Sequence, residues 1–186
     1  GNENGKTIAV MGLTFKPDGT KMFIVGWEDR VHAFDLSTAW DITSYAYVGE
    51  VSASLSSQDG NSQGLAFNND GTKCYVVGRA NKRIYQYSLN PAWNVATMAY
   101  DDINLDVSVE GTPSQMIFNP TGTKLYVTGY TNNAIRQFKV QGLDVSEEAI
   151  IYADDASSDD MALGWDAVIT PDGNRIIAGA ENYGYG

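Results

Sequence analysis

The feature that most constrains the fold is a repeat marked by glycine. Gly19, Gly71, Gly122 and Gly173 stand in Pro-Asp-Gly, Asn-Asp-Gly or Pro-Thr-Gly contexts, and successive glycines lie 52, 51 and 51 residues apart. The surrounding segments align without gaps as LTFKPDGTKMFIVG, LAFNNDGTKCYVVG, MIFNPTGTKLYVTG and AVITPDGNRIIAGA. Self-similarity at a fixed period of this length is the signature of a repeat architecture.

Each copy of the repeat has the pattern of a β-hairpin followed by two more strands. A short apolar segment predicts the first strand, the glycine allows a turn with φ > 0, and an alternating segment predicts the second strand. The third strands are predicted at 31–36, 84–89 and 135–140, and the fourth strands at 44–53, 98–107 and 149–154. Because short turns join the strands, each copy predicts one four-stranded antiparallel sheet.

Four-stranded units of about fifty residues are typical of the blades of a β-propeller. The sequence therefore predicts an all-β, propeller-type array of four-stranded antiparallel blades, with about 3.5 repeats of 51–52 residues. We take 1–186 as a single repeat domain, with repeats at roughly 12–63, 64–114 and 115–165, an incomplete repeat at 166–186 and an N-terminal strand within 1–11. A β-solenoid is the alternative, although its coils are usually shorter and lack hairpin turns.

The fourth copy lacks the predicted third and fourth strands. An incomplete ring of blades exposes an unpaired strand edge and apolar faces. Three arrangements would remove this exposure. The N-terminal strand could pair with the half copy in a small four-bladed ring, two chains could associate, or the sequence could be a piece of a longer protein. We favour the second and third arrangements over the small ring.

The net charge of the chain limits the kinds of molecule that it can bind. A formal net charge of -11 disfavours nucleic acid and anionic membranes, because both carry phosphate groups that an acidic surface repels. Solubility is the simplest interpretation of this charge, and an acidic face for cations or basic partners is the alternative. The single cysteine, Cys74, excludes an intrachain disulfide, and no apolar run approaches the roughly 20 residues of a membrane span.

Some of these segments resemble known repeats. The stretches from Phe15 to Gly26 and from Leu125 to Gly129 resemble the YVTN-type repeats of bacterial and archaeal surface propellers and are similar to the lactonase-like and NHL-like propeller superfamily. The stretch from Asp35 to Ile42 resembles repeats of phage and marine bacterial structural or surface proteins. The resemblance covers residues 12–180 and implies the propeller fold. It leaves the function open, because propellers host enzymes, binding modules and scaffolds alike.

The sequence shows no catalytic constellation. His32 is the only histidine, so neither a catalytic triad nor a histidine-rich metal site can be assembled. Cys74 fills a strand position that is apolar in the other copies, which indicates a core residue and not a nucleophile. The acidic loop from Asp154 to Asp160 could gather oxygens around Ca²⁺, but its spacing matches no cation loop, and a solvated loop is the simpler interpretation. We therefore predict no catalytic residue, no metal and no cofactor.

A ligand is most plausible at the propeller axis, which the starts of the first strands should line. The candidate ligand-binding residues at these starts and in the loops that enter them are Asn61, Gln63, Ser114, Gln115, Trp165 and Asp166. Their amide and hydroxyl groups could hydrogen-bond to a sugar while the indole stacks on it. Ordinary turn chemistry is the alternative. Trp40 and Trp93 recur at equivalent places, which favours packing onto the blade over a role as sugar platforms.

These observations predict a non-enzymatic propeller module that is extracellular, on the cell surface or associated with a virion. It would serve as a scaffold or recognise a surface ligand, either a carbohydrate such as a glycan or a protein. One alternative is a lactonase-like, metal-dependent hydrolase with a divalent ion on the axis near Asp166 and Gln115. Another is an assembly element that completes a propeller by self-association through its incomplete blade.

Overall fold

The computed structural model describes residues 8–129, 131–132, 134–141, 144–152 and 161–182. The strands are β1 (Val10–Phe15), β2 (Lys21–Gly26), β3 (Arg30–Leu36), β4 (Tyr45–Val51), β5 (Ser62–Phe67), β6 (Lys73–Gly78), β7 (Arg83–Ser88), β8 (Ala99–Asp106), β9 (Pro113–Phe118), β10 (Lys124–Gly129), β11 (Ala134–Gln141), β12 (Asp144–Tyr152), β13 (Met161–Ile169) and β14 (Ile176–Asn182). Short 3-10 turns lie at Ile42–Ser44, Val95–Thr97 and Ser108–Glu110. Among these residues no helix has the length and hydrophobicity needed to cross a membrane.

The strands form sheets that follow one another along the chain. The first sheet (β1–β4), the second (β5–β8) and the third (β9–β12) are four-stranded antiparallel meanders, and the fourth sheet contains β13 and β14. The innermost strands β1, β5, β9 and β13 contact one another in that order, so the sheets are arranged radially around a common axis. This confirms the prediction of an all-β, propeller-type array of about 3.5 blades.

Each sheet begins earlier than the repeat boundary drawn from the aligned sequence. The inner strands start at Val10, Ser62, Pro113 and Met161. Near the N-terminal end of each inner strand, a register shift interrupts its pairing with the second strand of the same sheet. Pairing resumes with residues of the inner strand that precede the shift. A β-bulge lengthens the inner strand in this way, which the aligned segments alone do not reveal. Residues 10–11 are therefore the beginning of β1, while residues 1–7 of the predicted N-terminal strand lie outside the described part of the chain.

Among the residues whose burial the structure describes, the core lies between neighbouring sheets in two separate apolar clusters. One cluster joins the first and second sheets through residues that include Phe23, Val25, Leu65, Cys74 and Val76. The other joins the second and third sheets through residues that include Ala66, Val77, Met116, Leu125 and Val127. Complete burial raises the pKa of the Cys74 thiol far above its ordinary value, which confirms this residue as part of the core.

Two of the glycine-marked turns contact the recurring tryptophans, which lie in the loops between the third and fourth strands. Gly71 has φ +72, and a Cβ at this position would overlap the indole ring of Trp93. The backbone N–H of Trp93 donates to the carbonyl of Gly71 at 2.9 Å. Gly19 and Trp40 repeat the arrangement, with the same 2.9 Å hydrogen bond. Trp93 packs against the core of its blade as predicted, whereas Trp40 contacts its glycine turn and is still 59% exposed.

Candidate functional site

The inner strands wall an open concavity along the propeller axis, which we call the axial groove. Its volume is about 780 Å³. The groove is lined by segments 10–15, 65–69, 115–120 and 167–171, together with Pro17, Trp40 and Trp93. Because its walls come from four successive repeat units, the groove is a product of the radial arrangement and belongs to no single sheet.

Glycine brings the inner strands close together near the start of the groove. A Cβ at Gly12 would lie 2.9 Å from the Cα of Gly64, and a Cβ at Gly64 would lie 2.9 Å from the carbonyl oxygen of Ser114. The third copy has Gln115 at the repeat position of these glycines, and its side chain lies directly over Gly64. Its Oε1 accepts the backbone N–H of Met116 at 3.1 Å, which holds the amide at the wall of the groove.

The other predicted ligand residues whose side chains the structure describes do not line the axial groove. Asn61 lies in the loop before β5 and accepts a short hydrogen bond from the side-chain amide of Gln63, which is buried. Ser114 is also buried, and its Oγ donates to the carbonyl oxygen of Thr128 at 3.3 Å. None of these three side chains lines the axial groove, so of the described candidates only Gln115 does. Trp165 and Asp166 lie in β13, and their side chains are outside the described part of the structure.

Polar groups that sequence reasoning missed line the other end of the groove. They come from the turns that follow the inner strands: Asn68, Asn69, Asn119 and Thr170. The side-chain amide of Asn69 donates to the carbonyl oxygen of Pro120 at 2.9 Å and so ties neighbouring turns together. The signal was present in the repeat, because each aligned turn follows an inner strand and must lie at the same end of the axis.

A buried ion pair lies away from the groove, between the second and third sheets. Glu110 is 0% exposed, and its Oε2 accepts from Arg136 Nε at 3.0 Å. Arg136 also donates to Glu147 at 3.2 Å and to the carbonyl oxygen of Val109 at 3.1 Å. Burial raises the pKa of Glu110 to about 7, although the guanidinium of Arg136 acts in the opposite direction.

The Oε1 atom of Glu110 has no hydrogen-bond partner in the described structure. The sequence contained one hint of this pair, because Arg136 fills the repeat position of His32 and Tyr85. A guanidinium at a position where the other copies have an imidazole and a phenol indicates an acidic partner nearby. Since the pair lies outside the axial groove, we interpret it as structural.

Comparison with known proteins identifies the fold. No family profile and no characterised protein sequence matches the chain. A candidate 6-phosphogluconolactonase of Bacteroides uniformis is similar in structure with a TM-score of 0.63 and 17% identity, covering 92% of this chain and 47% of its own. The periplasmic gluconolactonase of Pseudomonas aeruginosa gives a TM-score of 0.65 and 14% identity, covering 93% and 50%. Hydrazine synthase of Kuenenia stuttgartiensis gives 0.61 and 20%, covering 96% and 45%.

The chain thus spans about half the length of the propellers it matches. The similarity bears out the propeller fold that the resemblance to lactonase-like repeats implied, while the resemblance to phage or surface structural proteins finds no support in it. The prediction of a non-enzymatic scaffolding or recognition module is contradicted, because gluconolactonase-type propellers stand among the similar structures. That prediction rested on the absence from the whole sequence of a catalytic triad, a histidine-rich metal site and a recognisable cation loop. At this level of identity the similarity itself shows the fold.

Proposed function

We propose that the chain forms half of the axial site of a lactonase-like hydrolase that acts on a sugar lactone. The observation that carries the proposal is the axial groove, a concavity of about 780 Å³ with the amide of Gln115 at one end and amide and hydroxyl groups at the other. Gluconolactonase-type propellers have the same fold, which supports this choice of reaction. Ligand sites of propellers and other closed β-folds are concave and carry a few convergent polar groups.

The lining of the groove suits a lactone ring with hydroxyl substituents. Gln115 and the turn residues Asn68, Asn69 and Asn119 supply amide donors and acceptors for hydroxyl groups. Apolar side chains of the inner strands, such as Phe15, also line the groove and offer the ring an apolar surface. We assign to the side-chain amide of Gln115 the role of donating to the oxygen of the lactone carbonyl as negative charge develops there.

Hydrolysis also needs a base that takes a proton from the attacking water. Asp166 fills the repeat position of Gln115 on the neighbouring inner strand, so we assign this role to Asp166. A divalent ion near these residues is the other way to activate water. Among the described side chains, however, no three carboxylate, imidazole or thiol groups lie close enough to hold a metal ion, and no step is derived through one.

The test measures the hydrolysis of glucono-δ-lactone by the purified chain. The acid that hydrolysis releases is detected as a fall in pH in a weakly buffered solution. We expect Asp166→Asn to lower kcat by about 100-fold or more, the range found for loss of a general base. Gln115→Met should lower kcat by about 100-fold or more with a smaller change in KM, because it removes the donor to the charge that develops on the carbonyl oxygen. Gln137→Met is the matched control, because Gln137 lies on β11 and bonds to Glu148 away from the groove. No rate above spontaneous hydrolysis, or equal rates for all three variants, would contradict the proposal.

The proposed substrate is a carbohydrate derivative, which fits the carbohydrate ligand expected from the sequence. The periplasmic location of the Pseudomonas aeruginosa gluconolactonase supports a location outside the cytoplasm for this protein too. Fractionation of cells of the source organism, with the protein detected by an antibody, would test the location. A protein ligand stays a prediction for which the structure offers no contact.

A further inference from the structure

In two successive copies, the loop that enters an inner strand places a buried carboxylate over the end of the second strand. Glu110 lies before β9 and Asp59 lies before β5, at the same repeat position. A Cβ at Gly129, the last residue of β10, would lie 2.6 Å from the Cγ of Glu110. A Cβ at Gly78, the last residue of β6, would lie 2.5 Å from the Cγ of Asp59. The two carboxylates are 0% and 3% exposed, so each fills the same enclosed place beside its sheet.

The two carboxylates differ in the donors that surround them. Both oxygens of Asp59 accept from fixed backbone N–H groups, which belong to Asn61 at 2.9 Å, Ala80 at 3.2 Å and Asn81 at 2.7 Å. In Glu110 only Oε2 has a donor, the Nε of Arg136 at 3.0 Å. Its Oε1 is buried without a partner in the described structure. The fold therefore supplies donors for the full charge of Asp59 but for only one oxygen of Glu110.

Arg136 does not satisfy the second oxygen, because its nitrogens face three different acceptors. Nη1 donates to Glu147 at 3.2 Å, and Nη2 donates to the carbonyl oxygen of Val109 at 3.1 Å. One positive charge thus serves two carboxylates. An ionised Glu110 leaves this group with a net negative charge and a bare buried oxygen, which is costly. Burial accordingly raises the pKa of Glu110 to about 7, although Arg136 acts in the opposite direction.

Among the described residues, the charged groups around this carboxyl come from several elements. Arg136 on β11 and Glu147 on β12 act on it directly. On the second sheet, Lys82 precedes β7, and its carbonyl oxygen accepts an N–H of the loop at 3.0 Å. Arg83 on β7 pairs with Asp106 at 3.2 Å, and both side chains are at least 40% exposed. Hydrogen bonds from the loop hold the pKa of Asp106 below its usual range. Glu110 is thus the titratable group that the junction encloses completely.

We infer that Glu110 is a proton-dependent latch that holds the loop of residues 107–112, the latch loop, closed over the junction of the second and third sheets. With its proton, the carboxyl stays buried and the loop is closed. Loss of the proton releases the loop, because the ionised oxygen then gains water as a donor. The latch loop continues into β9, which carries Gln115, so its release loosens the start of one wall of the axial groove. The latch does not depend on whether the groove hydrolyses lactones.

Hydrogen–deuterium exchange of the folded chain, read by mass spectrometry of its peptides, tests the latch. The protected amides of the latch loop are those of Glu110, Gly111 and Thr112, which donate to carbonyl oxygens within the loop. After correction for intrinsic rates, their exchange should rise on the order of 50-fold from about pH 5 to about pH 8. Proton linkage gives this ratio when the pKa of a carboxyl is 4.5 in the open loop and about 7 in the closed loop.

The equivalent loop of the preceding copy is the internal control. The amides of Gln58 and Asp59 both donate to the carbonyl oxygen of Leu55, at 2.9 and 3.1 Å. Because the carboxylate of Asp59 has donors for both oxygens, the exchange of these amides should change little over the same pH range. An equal rise in both loops would show a general loss of stability and overturn the latch. Exchange of the latch loop that does not respond to pH would overturn it as well.

A matched pair of variants assigns the response to one carboxyl. Glu110→Gln should abolish the rise in exchange of the latch loop, because the amide does not titrate. Glu147→Gln should keep most of the rise, since Glu147 contacts the same Arg136 but its side chain is 33% exposed. A full response in Glu110→Gln would refute the assignment. Should far-UV circular dichroism show that this variant is unfolded, the comparison of the two loops within the parent chain still decides, because it needs no substitution.

Discussion

Replacing Gly71 with alanine is expected to lower the free energy of unfolding by about 3 kcal/mol or more. Two costs combine in this estimate. A non-glycine residue in the left-handed region costs roughly 1–2 kcal/mol, and at Gly71 the φ is +72. The new Cβ would also overlap the Trp93 indole, which packs against Phe67 at 5.3 Å and Phe23 at 6.1 Å. Displacing a large core aromatic costs up to about 3–5 kcal/mol when the ring is lost entirely.

Gly122 provides the matched control for this prediction. It occupies the same turn of the third copy with φ +70, but the nearest atom to an added Cβ is the Asn69 amide nitrogen at 3.9 Å. Gly122→Ala should therefore show only the backbone cost, about 1–2 kcal/mol. Urea unfolding followed by tryptophan fluorescence measures both variants. Equal losses at Gly71 and Gly122 would show that the Trp93 packing contributes nothing beyond the turn.

The stability of the protein should fall as pH rises from 4.5 towards 7 because of Glu110. Its carboxyl has an ordinary pKa of 4.5 in the unfolded chain, and burial raises this pKa to about 7 in the folded protein. Between these values the folded state holds one more proton than the unfolded state. The contribution is therefore most favourable below pH 4.5 and is lost as pH passes through 7, a change of about 3 kcal/mol.

Glu110→Gln isolates this effect, because the amide keeps the shape of the side chain and does not titrate. The free energy of unfolding, measured in urea from pH 4.5 to 8, should decline less steeply in the variant than in the parent protein. Glu147→Gln is the control, since Glu147 contacts the same Arg136 at 3.2 Å but lies nearer the surface. It should keep most of the decline. Identical pH slopes for the parent and Glu110→Gln would refute the raised pKa.

The fold was predictable because the same local chemistry recurs at a fixed period. Turn glycines, apolar inner strands and alternating second strands predicted hairpins at the places where the structure has them. The starts of the inner strands were less predictable. They depend on bulges, such as that between Val10 and Gly12, which pair residues outside the aligned segment. A bulge is a property of two strands together, and one strand's sequence carries little sign of it.

The site was less predictable, because its groups come from several repeats. Gln115 was identified by its position relative to the aligned glycines, and it does line the axial groove. Gln63 and Ser114 lie next to such positions, yet they turn to local hydrogen bonds instead. The bulges that shift the inner strands also change which side chains face the axis. The amides of Asn68 and Asn119 reach the groove only because the radial arrangement brings their turns together.

The two apolar clusters lie on opposite faces of the second sheet and share no residue. Leu65 and Val76 belong to one cluster, while their chain neighbours Ala66 and Val77 belong to the other. Coupling between distant parts of the molecule must therefore pass through the second sheet from neighbour to neighbour, as in other repeat proteins. Mutations can accumulate at one junction without forcing compensating changes at the next, so each junction is free to evolve at its own pace.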